Sequence, residues 1–267
     1  MIGQRIVSAL VIAAILLAAV FLLPARGLAA LLSVVLLAAA WEWSAFVAGG
    51  RSALRWLFLA VALGLCILLW SGTASRAGLM ACVVAGMLLW SLALLWLVVA
   101  PQRQNSAAVF IAGVIATSIA WVCLARISLD QPRGNLWILY SLLIVWVADS
   151  GAYFVGRSWG VSKLAPRISP GKTWAGLWGG LLASALLACV VAIALRLPMV
   201  QLVMLTIVVA GFSVIGDLTE SLCKRFAGMK DSGTLIPGHG GVLDRFDSLL
   251  AAVPCLLFGL LTVPGLR

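Results

Sequence analysis

Charge is scarce in this chain. Asp, Glu, Lys and Arg make up 10% of its residues, against about 25% in soluble domains, and only eight residues are acidic. With 64% hydrophobic residues and a mean hydropathy of +1.18, that scarcity excludes a soluble globular domain. Histidine occurs once and the six cysteines form no Cys-x-x-Cys pair, so neither a zinc ligand set nor a disulfide framework is available. Cys66, Cys82, Cys123, Cys189 and Cys255 lie singly in apolar runs and Cys223 lies beside Lys224, as small buried hydrophobes do. Gly171, Lys172 and Thr173 imitate the end of a Walker A motif, but the glycine needed five positions before Gly171 is Pro166, which excludes a P-loop. No repeat, low-complexity tract or soluble domain interrupts the sequence.

What remains is apolar length. Runs near 6–23, 27–48, 54–71, 77–99, 107–127, 135–156, 173–195, 201–222 and 249–263 are matched to the about 30 Å of a bilayer's hydrocarbon. They define an all-α, polytopic integral membrane protein with about nine transmembrane helices in a single membrane domain, 1–267. The first run, with Arg5 before it and Ala29 and Ala30 behind, has the layout of a secretory signal, but eight further spans make cleavage unnecessary and it reads as a retained helix.

Placing the N-terminus in the cytoplasm puts 12 of the 18 Lys and Arg residues on the inner side, as the positive-inside rule requires. The net charge of +10 then needs no nucleic-acid partner. Acids do not enter that rule, yet Glu42, Asp149, Asp217, Glu220, Asp231, Asp244 and Asp247 fall at the same face, leaving only Asp130 outside. An acid beside hydrocarbon costs about 2.5 to 3.5 kcal/mol, so this convergence marks a polar site open to the cytoplasm. The tryptophans, Trp43, Trp90 and Trp137 among them, sit mostly near span ends and read as interface anchors.

Residues 1–134 read as helical scaffold, with Glu42 in WEWSAF either snorkelling toward water or, as the alternative, lining the site. Residues 135–267 read as the catalytic half, with cytoplasmic loops at 157–172 and 223–248. The pair Gly176 and Gly180, with Gly179, permits close helix packing. Asp217, Glu220 and Ser221 share one helix face, and Asp244 and Asp247 repeat the spacing just before the last helix, where Asp247 also suits a capping role. Oxygen-only ligands from Asp217 and Asp244 suit Mg²⁺; pairing with Lys224, Arg225 or Arg245 is the structural alternative. The PGHGG run offers bare amides at Gly240 and Gly241 for an anion, with His239 as acid, hydrogen-bond donor or loop clamp. Arg157, Lys163, Arg167 and Lys172 form a basic loop able to hold phosphates or an anionic headgroup. Asp149 opens DSGAYFVGR as an intramembrane carboxylate.

At these residues the chain resembles the phosphatidate cytidylyltransferase, or CDP-diacylglycerol synthase, family. The family signature S-x-x-K-R-x4-K-D-x-G-x2-L/I/F-P-x-H-G-G-x-x-D-R-x-D is met by Ser221, Lys224, Arg225, Lys230, Asp231, Gly233, Ile236, Pro237, His239, Gly240, Gly241, Asp244, Arg245 and Asp247. GDLTE, DSGAYFVGR and ISPGKTW, with Ser169, extend the likeness over most of 149–248, and Ala175 stands where many members carry Glu or Gln.

The resemblance implies transfer of CMP from CTP to phosphatidic acid in phospholipid biosynthesis. Asp217 and Asp244 would hold Mg²⁺, beside which similar enzymes use a monovalent cation such as K⁺. Lys172, Lys224, Arg225, Lys230 and Arg245 would contact phosphates, and Asp149, Ser169, Ser221, Asp231, His239, Gly240, Gly241 and Asp247 would complete the site. It also implies a homodimer in the bacterial inner membrane with the site facing the cytoplasm. The alternatives are a CTP-dependent lipid kinase, a related CDP-lipid synthase, and an ion transporter, which would spread its acids across membrane depth rather than gather them at one face.

Overall fold

The structure, a computed structural model, describes residues 2–103, 105–236 and 240–266, with side chains except at 2–10 and 12. Helices follow the apolar runs, because in hydrocarbon an open chain must satisfy its own backbone. In order they are α1 (Ile2–Leu22), α2 (Ala25–Ala48), α3 (Ser52–Gly72), α4 (Arg76–Val99), α5 (Ser106–Asp130), α6 (Gly134–Trp159), α7 (Trp174–Leu195), α8 (Met199–Phe226) and α9 (Leu243–Thr262). Eight are long and apolar enough to span a membrane, and α1 contributes the shorter apolar stretch Ala13–Leu22.

Two boundaries differ from expectation, and both enlarge the ordered part of the polar end. The segment expected as a plain loop at 157–172 folds into an antiparallel hairpin, β1 (Lys163–Ala165) with β2 (Ser169–Thr173). Its turn residue Ile168 is buried with Leu218 and Leu222 of α8 and Leu97 of α4, and that apolar anchor fixes the hairpin on the bundle. The second loop is shorter than 223–248. Lys224 and Arg225 belong to the last turn of α8, and Asp244 and Asp247 lie inside the first two turns of α9 rather than before it. Helix α9 starts early because a carboxylate from α2 accepts its first free amide, Leu243 N to Glu42 Oε2 at 2.7 Å.

Helix α9 is the hub, packed against α2, α4, α5, α6 and α8 and buried along almost its whole length. Its internal Pro254 lies against Gly86, where any side chain would meet Pro254 and Ile119. Trp43, Trp90 and Trp137 are core residues rather than interface anchors. Trp43 shows why, since its ring occupies the space a Cβ on Gly113 would need and its Nε1 donates to Val109 O at 3.1 Å. Trp56, Trp159, Trp174 and Trp178 are exposed, as anchors should be. All six cysteines are free.

Helices α6 and α7 approach most closely through Gly151, Gly176, Gly179 and Gly180, where a Cβ would strike the facing backbone or side chain. Without a hydrophobic drive between helices in lipid, such backbone proximity supplies much of the attraction. Gly179→Leu would press into Val155 and should cost about 1–3 kcal/mol as overpacking. The check is thermal unfolding of the purified protein in detergent, where a clear fall in Tm is expected; an unchanged Tm would mean the two helices are not held by this contact.

Candidate active site

The site begins on the last three turns of α8, where helical spacing sets two i, i+4 pairs. Ser221 Oγ donates to Asp217 Oδ1 at 3.3 Å, and Lys224 Nζ meets Glu220 Oε2 at 2.6 Å. Lys224 also crosses to α9, reaching Asp244 Oδ1 at 2.8 Å. Asp244 is further held by the amides of Ser232, at 3.1 and 3.0 Å to its two oxygens, and of Gly241 at 2.8 Å. Ammonium and amides together fill most of the acceptor capacity of one carboxylate. The glycines of the loop are needed here: Gly240 has φ +81°, and a side chain on Gly241 would strike Ser232 Oγ and Glu42.

Glu42 is the residue that sequence reasoning placed wrongly. It is not snorkelling toward water but is 2% exposed, and its Oε2 accepts both Leu243 N and, at 2.9 Å, Ser232 Oγ. From α2 it therefore fixes the start of α9 and the loop that carries Ser232, so the first half is more than scaffold. The available signal was an acid set among apolar residues with no basic neighbour closer than Arg51.

A second cluster joins the first from the side. The β hairpin carries Lys172 to Asp217, Nζ to Oδ2 at 2.5 Å, and Arg225 Nε donates to Ile168 O at 3.5 Å. Asp247 is almost fully buried, accepts Ser248 N at 2.7 Å and lies within electrostatic reach of Asp217, Glu220 and Lys172. Asp149 on α6 stands in the fields of Asp217, Lys172 and Arg245. Asp149, Ser169 and Lys172 border a cavity of about 400 Å³ whose deeper wall is apolar, including Leu177, Leu181 and Val214.

The structure thus brings together Asp149, Lys172, Asp217, Ser221, Lys224, Gly241, Asp244 and Asp247, with Ser169 at the cavity rim. Lys230 and Asp231 are exposed on the loop before Ser232, with Asp231 beside Gly240, and Arg225 and Arg245 are exposed at the helix ends. Arg157 is engaged with Tyr153, NH1 to OH at 2.7 Å. His239 and Pro237 lie outside the described residues.

Could these residues hold a hard cation? By formal count, Asp149, Asp217, Glu220, Asp244 and Asp247 outnumber Lys172, Lys224 and Arg245 in the cluster. All its donors are oxygen, which suits Mg²⁺ rather than zinc. Asp217 fits directly, since its side chain is 27% exposed and carries one ammonium and one hydroxyl. Asp244 fits only if the Lys224 ammonium leaves Oδ1. Among the described residues no group of three or more His, Cys, Asp or Glu side chains is already arranged as a metal site.

Among the described residues, nine apolar helices form a bundle closed at one end by interleaved carboxylates and cations, the architecture of a membrane-embedded protein. The comparisons specify which. Residues 3–263 match the model of the Cytidylyltransferase family, and the chain belongs to that family. It is 36% identical to a phosphatidate cytidylyltransferase of Haemophilus influenzae over 95% of this chain and 96% of the relative. It is 38% identical to one of Pseudomonas aeruginosa over 95% of each. A Bacillus subtilis protein of the same name is 46% identical over 49% of each chain.

If Glu42 positions the loop and α9, removing its acceptor should damage activity while preserving its charge should not matter. Glu42→Ala strands Leu243 N and Ser232 Oγ at a cost of about 1–3 kcal/mol and should lower kcat at least about tenfold. Glu42→Gln keeps an accepting oxygen and should retain most of it. Turnover of the Ala variant within about twofold of the parent would show that the clasp is dispensable.

Proposed function

We propose that this chain transfers CMP from CTP to phosphatidic acid, giving CDP-diacylglycerol and pyrophosphate, in a Mg²⁺-dependent reaction. The observation that carries the reading is the Lys172–Asp217 pair, which ties a basic hairpin to an acidic helix at the rim of a cavity with an apolar wall. A phosphate headgroup at that rim and acyl chains along that wall suit the two ends of a phosphatidic acid molecule.

The chemistry asks for little beyond positioning. A phosphate monoester has a second pKa of about 6, so the attacking oxygen is largely ionised near neutral pH and needs no general base. It forms a bond to the α-phosphorus of CTP while the bond from that phosphorus to the α–β bridging oxygen breaks, and pyrophosphate leaves with the electron pair. Lys172 and Lys224, held here by carboxylates, are the cations that substrate phosphates would draw across, with Arg225, Lys230 and Arg245 exposed around them. Asp217, and Asp244 once Lys224 has moved, would hold Mg²⁺, which would neutralise charge on the reacting phosphates. The sequence resemblance supports Gly240, Gly241, Ser221 and Ser169 as further contacts to the anions.

The distribution of Lys and Arg supports an N-terminus in the cytoplasm and a site facing CTP there, in the inner membrane of a bacterium. The sequence resemblance supports a homodimer and a monovalent cation beside Mg²⁺.

The test is purified protein in detergent with CTP and phosphatidic acid. Pyrophosphate and CDP-lipid should appear only with Mg²⁺, and CDP with a newly phosphorylated lipid would replace this reading by a kinase. Asp217→Asn should lower kcat/KM by at least about 100-fold, since it removes both the metal-facing charge and the partner of Lys172. Activity within about tenfold of the parent would take Asp217 out of metal binding.

A further inference from the structure

At the end of the bundle opposite the ion-paired site, α6 and α7 part. Their glycine contacts lie toward the polar end, at Gly151, Gly176, Gly179 and Gly180. Farther along, the gap opens into a cavity of about 520 Å³ between Leu136, Leu139 and Tyr140 on one side and Val190, Val191 and Ala194 on the other. The buried Leu266 closes its floor. Two arginines, Arg133 and Arg196, border it.

These two residues are also the only non-glycine positions with left-handed backbone among the described residues, φ 57° and 54°. Arg196 caps the C-terminus of α7 and Arg133 precedes the N-terminus of α6. Both are places where glycine or asparagine would adopt that conformation more easily. The helix dipole favours a cation at 196 but opposes one at 133, so capping alone does not account for the pair. Both side chains are exposed, and neither has an ion-pair partner among the described residues. Asp130, the acid expected at this end, is taken by Arg126 at 3.0 Å.

We propose that this cleft binds an anionic phospholipid of the leaflet at that end, with an acyl chain between α6 and α7 and the phosphate between Arg133 and Arg196. The apolar walls answer the chain, and two exposed guanidinium groups with no ion-pair partner among the described residues answer a phosphodiester. The site is separate from the catalytic cavity, and its occupant is a bound lipid rather than a substrate. Filling the cleft would brace α6 against α7 where glycine packing has ended, and so steady the helix pair that carries Asp149 and the hairpin.

The test compares the full chain in detergent with the double variant Arg133→Asn/Arg196→Asn, since asparagine tolerates left-handed backbone. Arg26→Asn serves as a control that removes a charge at the same end without touching the cleft. Native mass spectrometry would follow retention of dioleoyl phosphatidylglycerol against dioleoyl phosphatidylcholine, and thermal unfolding would follow stabilisation by each. The parent should hold phosphatidylglycerol at least about tenfold more tightly than the double variant and gain Tm from it. The Arg26 control should match the parent, and millimolar inorganic phosphate should not displace the lipid. Equal binding by parent and double variant, an equal loss in the control, equal retention of the zwitterionic lipid, or displacement by phosphate alone would each overturn the proposal.

Discussion

Carboxylates at the edge of a hydrocarbon bundle are tolerable only with partners, and the structure depends on how those partners are found. Lys224 serves Glu220 on its own helix and Asp244 on the next, which pins α8 to α9. Lys172 serves Asp217, which pins the β hairpin to α8. A cation between two acids in a partly excluded site interacts far more strongly than it would in water, and removing one partner would leave the others buried and unmatched. By formal count the same cluster still holds more carboxylates than cations, which suits the proposed site for phosphates accompanied by a metal cation.

The pairs also have a cost that function can use. Lysines locked onto carboxylates are not available to phosphate, so in the proposed reading substrate would compete with Asp217 and Asp244 for Lys172 and Lys224. In the proposed transfer the exchange is mutual: the substrate gains cations while the acids become free for a metal. Glu42 lies outside this exchange. Buried on α2 and bonded to a backbone amide and a serine hydroxyl, it holds the loop and the start of α9 in place.

Much of this was legible in the sequence. Runs of apolar residues set by bilayer thickness matched the nine helices found among the described residues, and the convergence of acids with Lys and Arg pointed to the candidate site. The helical spacing of Asp217, Glu220 and Ser221 placed them on α8, and the two-loop arrangement followed from the polar connections at 157–172 and 223–248. The rest depended on tertiary contacts that have no local signature. The hairpin at 163–173 exists because Ile168 finds a pocket on α8, and α9 begins at Leu243 because an acid 201 residues away caps it. Trp43 looked like an anchor because composition cannot see Gly113 across the helix interface. Glu42 was read as solvated because its partners lie in the other half of the chain.

The central claim is that Lys172 on the β hairpin and Asp217 on α8 act as one unit. A double-mutant cycle on kcat/KM with Lys172→Met and Asp217→Asn, singly and together, measures this directly. If they act together, the double variant should lose little more than the worse single variant, a coupling of at least about 1 kcal/mol. If instead the two losses multiply, the hairpin and α8 contribute independently and the account of a single ion-paired site is wrong.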